Sequence, residues 1–185
     1  MKKLILLTAT LLMGAFGAFA QTEMSGEMFE LAKIKDGIRN RRVSSYDKGG
    51  YNRDHLEPIK PGGTAVLADI KGAGVINHIW ITIAPGPERL SRNDIILKMY
   101  WDGNDEPSVL APIGPFFGQG WNEQYNSATF AMSTGPGNGT GLSCYFAMPF
   151  EKGARIEIEN QNDIQIDAFY YYVDYLEMKK LPADM

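Results

Sequence analysis

Residues 64–84 read TAVLADIKGAGVINHIWITIA, and the fold turns on how this stretch is read. Two β-branched, roughly alternating runs, TAVLADI (64–70) and VINHIWITIA (75–84), flank the turn-forming Lys71-Gly72-Ala73-Gly74. That is the signature of two antiparallel strands. In the second run, strict alternation puts Val75, Asn77, Ile79, Ile81 and Ile83 on one face. It puts Ile76, His78, Trp80 and Thr82 on the other.

Downstream, the same texture repeats. DIILKMYW (94–101) stops at Asp102-Gly103, a hairpin-type turn signal. SVLAPI (108–113), ATFAMS (128–133), LSCYFAMPF (142–150), ARIEIEN (154–160) and IQIDAFYYYVDYLEM (164–178) read as further strands. Short strands at regular spacing with Gly/Pro turns indicate an all-β, two-sheet sandwich of the jelly-roll kind. The GPGNGTG run at 135–141 reads as a flexible loop.

Upstream the text is different. Residues 1–20, MKKLILLTATLLMGAFGAFA, have the layout of a secretory signal peptide: two lysines, an apolar run, and a small-x-small ending at Ala18-Phe19-Ala20. The mature chain is therefore expected from about Gln21, exported to the periplasm or the medium, with no membrane contact after cleavage. Residues 25–39 carry Met28, Leu31, Ala32 and Ile34 at helical spacing, with Ser25 as N-cap, and predict one short helix. The domain plan is a signal peptide (1–20), a helix and polar loop (21–63) and the sandwich (64–185).

Composition narrows the function. The chain of 185 residues has a formal charge of −4, and loss of Lys2 and Lys3 makes it more acidic still. That disfavours nucleic acid or an anionic membrane as partner. The single cysteine, Cys144, reads as a small core hydrophobe. With only His55 and His78, and no HExxH or CxxC, the chain lacks the pattern of a zinc site. His78 reads as a hydrogen-bonded residue on a half-buried strand. No nucleophile elbow, Walker loop or dinucleotide fingerprint is present, and no cofactor is called for.

Carboxylates, amides and aromatics remain, the materials of sugar recognition. SSYDKGGYNRD (44–54) supplies Asp47, Asn52 and Asp54; PIGPFFGQGWNEQYN (112–126) supplies Phe116, Phe117, Trp121 and Tyr125 among glycines. Taken alone, the first stretch reads as a solvated loop before it reads as a binding loop. An oxygen-rich calcium site over Asp47, Asn52 and Asp54 is another alternative, although the spacing is not that of an EF-hand.

Six blocks occur in one order: SSYDKGGYNRD, GAGVINHIWITI, LKMYWDGNDEPSV, PIGPFFGQG, LSCYFAMPFEKGARIEIEN and YYYVDYLEMKKLP. In this the chain resembles glycoside hydrolase family 172, a group common in gut bacteria. The resemblance runs from about residue 25 to the end. It implies a retaining, exo-acting enzyme on α-D-fructofuranosides or D-arabinofuranosides, built from two jelly rolls per chain and assembled as trimers or hexamers. By the same resemblance, Ser45, Asp47, Asn52 and Asp54 would line a sugar pocket, with Phe117 and Trp121 as walls. Family members continue past this length into a second jelly roll, and their catalytic glutamates lie there. The expectation is a first-domain portion that grips a glycoside or oligosaccharide, with the cutting pair elsewhere. A non-catalytic sugar-binding or oligomerisation module is the alternative.

Overall fold

A computed structural model of the chain describes residues 35–86, 88–183 and 185. The signal peptide, and the expected helix up to residue 34, lie outside the described residues. The compact unit of the fold spans Gly37–Met185. It is an all-β sandwich of antiparallel strands: β1 (Ile38–Ser44), β2 (Thr64–Lys71), β3 (Ala73–Ala84), β4 (Ile95–Trp101), β5 (Val109–Pro112), β6 (Ser127–Ala128), β7 (Met132–Thr134), β8 (Leu142–Cys144), β9 (Met148–Phe150), β10 (Gly153–Asn160) and β11 (Ala168–Met178). The larger sheet runs β1-β11-β3-β8-β7-β6, with β9 also on β3; the smaller runs β2-β10-β4-β5.

Between the sheets lies one core. Ile79, Ile81, Phe169 and Val173 of the larger sheet meet Leu67, Leu97, Met99, Ile156 and Ile158 of the smaller. Cys144 joins this core, and burial pushes its thiol upward in pKa, which fits an inert core residue.

Four expectations need correction. The sandwich begins before residue 64, because β1 pairs along its whole length with β11. Its sequence, IRNRRVS, shows little apolar period because it is an edge strand whose arginines stay exposed. The strict face assignment in β3 fails at a β-bulge. Asp174 opposes His78 while Tyr175 opposes Ile76, so Asn77 is the extra residue. Asn77 therefore points to solvent and Ile76 into the core, while Ile79, Ile81 and Ile83 stay inward. The stretch 142–150 is two strands, not one: Cys144 pairs with Ile79 and Met148 with Ile76, so the break faces the same bulge. Finally, 128–133 straddles the turn of the small β6–β7 hairpin.

The connections are unequal at the two ends of the sandwich. The long ones, 45–63, 113–126, 135–141, 161–167 and the link from β3 to β4, all emerge at the end where β1 finishes and β11 starts. The opposite end carries mostly short turns, such as Gly72 and residues 151–152. There, the Asp102 carboxylate accepts the backbone N–H groups of Glu151 and Lys152 at 2.8 and 2.7 Å and ties two turns together.

Candidate functional site

The two segments singled out from the sequence both emerge at the loop-rich end, but from opposite edges of the larger sheet. SSYDKGGYNRD leaves β1 there, and residues 113–126 cross it between β5 and β6. Loops gathered on a rigid sheet scaffold are a usual place for binding residues.

Within the first loop, most of the expected sugar-contacting groups hold the loop itself. Asp47 accepts the backbone N–H of Gly49 (2.7 Å), Tyr51 (2.8 Å) and Arg53 (3.1 Å). Asp54 accepts the N–H of Asp47 at 2.7 Å. Ser45 donates its hydroxyl to the Asp54 carbonyl at 2.7 Å and accepts the Tyr171 N–H at 3.0 Å. The amides of Arg53, Gly49 and Tyr51 hold the Asp47 carboxyl below the usual range. Oxygens ringed by N–H donors suit neither a cation nor a general acid, which counts against the calcium alternative for Asp47. Asn52 sits beside them with a left-handed backbone, φ 62°. What the loop offers outward is Tyr46 and Tyr51, both exposed. Together with Lys48, Arg53, His55 and Glu57 they line an open groove of about 1130 Å³.

The second segment divides. Phe117 is 1% exposed and belongs to the core, so it cannot wall a sugar pocket. It follows the helical turn α1 (Ile113–Phe116), which turns its ring inward after β5. Trp121 is 87% exposed. Both Trp121 and Asn122 adopt left-handed backbone, φ 54° and 59°, a strained arrangement for two consecutive non-glycine residues. The Asn122 side chain holds it there, accepting the Arg92 N–H at 3.1 Å and the Ser91 hydroxyl at 3.2 Å.

Sequence reasoning missed Arg92, the hub beneath these loops. Its guanidinium is buried and donates to Gln119 Oε1, to the Gly139 carbonyl at 2.9 Å and to the Thr140 carbonyl at 2.8 Å. With the Gln124 amide oxygen turned toward it, Nε and Nη2 donate there at 2.9 and 3.0 Å. All these acceptors are neutral, and burial pushes the guanidinium down to about 10, still protonated at neutral pH. The GPGNGTG run is thus pinned rather than free: besides Arg92, the Asn126 side chain accepts the Gly139 N–H at 2.7 Å. Gly141 must be glycine, since a Cβ there would lie 2.5 Å from the Gly135 carbonyl and 3.4 Å from the Trp80 indole nitrogen. Asn160 and Asn162 extend the network, donating to the carbonyls of Ile59, Ile164, Ser91 and Asp94. No local motif marks Arg92; its partners come from distant loops.

From this end, the outer face of the larger sheet carries a stacked row. Trp80 and Tyr172 stack at 5.0 Å, and Arg42 lies 4.3 Å from the Tyr172 ring centre. Since β11 lies between β1 and β3, Tyr172 has a neighbour on each side. His55, from the polar loop, meets Tyr170 edge-on at 5.6 Å. The smaller sheet's outer cleft, about 480 Å³, is instead lined by charges that satisfy one another: Asp69 with Lys71 and Arg155, and Arg155 with Glu157. Mutually paired exposed charges of this kind read as a solvated face.

Residues 52–171 match the family described as GH172 domain-like, and the chain belongs to that family. No curated protein matches the sequence. Among solved structures, the chain is similar to the VP2 subviral particle of infectious bursal disease virus (8% identity, TM-score 0.40, covering 80% of this chain and 34% of that one). It is similar also to the tomato aspermy virus structure (10% identity, TM-score 0.31, covering 82% of each chain). The chain spans about a third of the length of the first of these. At such scores, neither bears on what this chain does.

Proposed function

We propose that this chain is the sugar-gripping domain of an exported glycoside hydrolase-type protein acting on α-D-fructofuranosides or D-arabinofuranosides. The single observation that carries the reading is the loop-rich end. Tyr46, Tyr51 and Trp121 stand exposed there on loops fixed from beneath by Asp47, Asn122 and Arg92. Rigid, exposed aromatics offer apolar faces to the C–H side of a sugar, and the cations Lys48 and Arg53 beside Tyr46 and Tyr51 reach its hydroxyls. Family membership supports the substrate class.

The cutting pair belongs outside the described residues. Retaining hydrolysis needs a carboxyl kept protonated beside a second about 5–5.5 Å away. The displaced carboxyls here, Asp47, Asp69, Asp102, Glu159 and Asp174, all move down, the wrong direction for a general acid. Self-association is part of the proposal. Phe146 is exposed and lines an apolar cleft of about 270 Å³ with Trp101, Phe116 and Met148, and Phe130 is also fully exposed.

Titration of the mature chain with fructo- and arabino-oligosaccharides tests the reading, alongside turnover of p-nitrophenyl α-D-arabinofuranoside. Binding without turnover is expected. Turnover abolished by changing one carboxylate would move the catalysts into this chain, and absence of any sugar binding would remove the proposal. Light scattering tests self-association, with a trimer or larger expected and a monomer contradicting it.

A further inference from the structure

Below the Trp80–Tyr172 row on the larger sheet lies a pocket of about 450 Å³ that the loop end does not use. Its lining includes Asn40, Arg42, Asn77, His78, Tyr145 and Asp174. Arg42, Asp174 and His78 are directly opposite one another across β1, β11 and β3. The row lies two residues along each strand from Ser44, Tyr172 and Trp80, about 7 Å at the ordinary strand rise.

The one carboxylate in this set is saturated. Asp174 accepts Arg42 Nε at 2.6 Å, Arg42 Nη2 at 2.9 Å and His78 Nδ1 at 2.8 Å. Burial alone would raise its pKa, but Arg42 and then His78 outweigh this and hold it below the usual range. Its negative charge is thus spent on fixing two planar donor groups, the Arg42 guanidinium and the His78 imidazole, whose Nδ1 faces it. Tyr145 stacks on the imidazole at 4.9 Å and locks it from the other side. Arg42 is held in position by Asp174 and by the Tyr172 ring, yet among the described residues its Nη1 donates to nothing. The bulge pushes Asn77 outward at the same place, as bulges beside binding sites commonly do.

The lining offers free donors and no free carboxylate. Arg42 Nη1 and the amides of Asn40 and Asn77 can donate, while the only full negative charge is already met by three donors. A volume of about 450 Å³ suits a small molecule. We propose that this pocket is an anion-selective subsite that takes the carboxylate or phosphate of an acidic sugar, with Arg42 as its principal ligand. The identity of the ligand as a sugar rests on the reading of the loop end; the anion selectivity does not. Arg42, preset by a bidentate contact and a ring, loses little freedom on meeting an oxyanion.

The test is an NMR titration of the mature chain with D-arabinose, D-arabinose 5-phosphate, D-galacturonate and inorganic phosphate. It is followed at the Arg42 Nε–H and the Asn40 and Asn77 side-chain amides. At least one anionic sugar is expected to bind about tenfold more tightly than D-arabinose, a difference of about 1.4 kcal/mol. The phosphate and uronate arms decide which oxyanion the site takes. Arg42→Gln should remove that advantage while leaving D-arabinose unaffected; Asn77→Ala, at an exposed bulge, should weaken it about threefold without a folding risk. Equal affinity for neutral and anionic sugars, or no shift at these three residues at about 10 mM ligand, overturns the proposal. Shifts at Tyr46, Tyr51 and Trp121 alone leave the loop-end reading standing without it. Shifts at Arg42 and Asn77 from inorganic phosphate and the acidic sugars, with the loop end silent for every sugar, leave the anion site standing and remove the loop-end reading.

Discussion

The two ends of this sandwich are built from the same strands and are finished differently. At one end, short turns are closed by a single staple, Asp102 accepting the N–H groups of Glu151 and Lys152. At the other, several long connections converge on a buried guanidinium and a set of side-chain amides. A turn needs only local backbone bonding, whereas long loops lose much conformational entropy on ordering and need fixed partners to hold one shape. In the ordered loops the carboxylates and amides are largely spent on construction, and what remains for a ligand is the aromatic and cationic groups they hold out.

The largest contrast is expected between two residues of one loop. Phe117→Ala should cost about 3–5 kcal/mol in urea denaturation, because it empties a core position. Trp121→Ala should change stability by no more than about 0.5 kcal/mol yet weaken sugar binding about tenfold. Equal stability losses would show that the loop is not divided into a buried and a presenting half. Next, Arg92→Met strands Gln119 Oε1, at about 1–3 kcal/mol for the group left unsatisfied, and leaves the Gly139 carbonyl only Gln119 Nε2 and the Thr140 carbonyl only the long Thr82 hydroxyl contact. It should weaken sugar binding as well, through loss of loop order. Asp102→Ala, at the plain end, should cost about 1 kcal/mol and leave sugar binding unchanged.

The smallest effect concerns acid. The Asp47 carboxyl, held down by three backbone N–H groups, contributes order to its loop that is full above the ordinary value of 3.8 and lost as pH falls through its lower folded value. Hydrogen-exchange protection of Gly49, Tyr51 and Arg53 should therefore hold at neutral pH and fall selectively below that value. Loss of protection on raising the pH would have the opposite sign and contradict the role given to Asp47.

Much of the fold was legible in the sequence because it rests on period. β4, β10 and most of β2, β3 and β11 alternate, and the structure has them where alternation indicates. Period fails where a strand has no buried face, as in β1, and where one residue is inserted, as at Asn77 and at Leu67. The site was less legible. Polar residues in SSYDKGGYNRD suggest a ligand and a scaffold equally, and only the hydrogen bonds of Asp47, Asp54 and Ser45 reveal the second use. Phe116 and Phe117 are adjacent letters in a glycine-rich run, and nothing in the run says which ring turns inward. Arg92, Arg42 and His78 gain their roles from partners 27 to 132 residues away, a register no local pattern contains.

The most direct test of the account maps an arabino-oligosaccharide onto the mature chain by NMR chemical-shift perturbation. The account predicts shifts at the Trp121 indole N–H and at the backbone of Tyr46 and Tyr51, with the Asp102 turns unmoved. Shifts confined to the turn end around Asp102 and Lys152, or to the charged cleft of the smaller sheet, would contradict it.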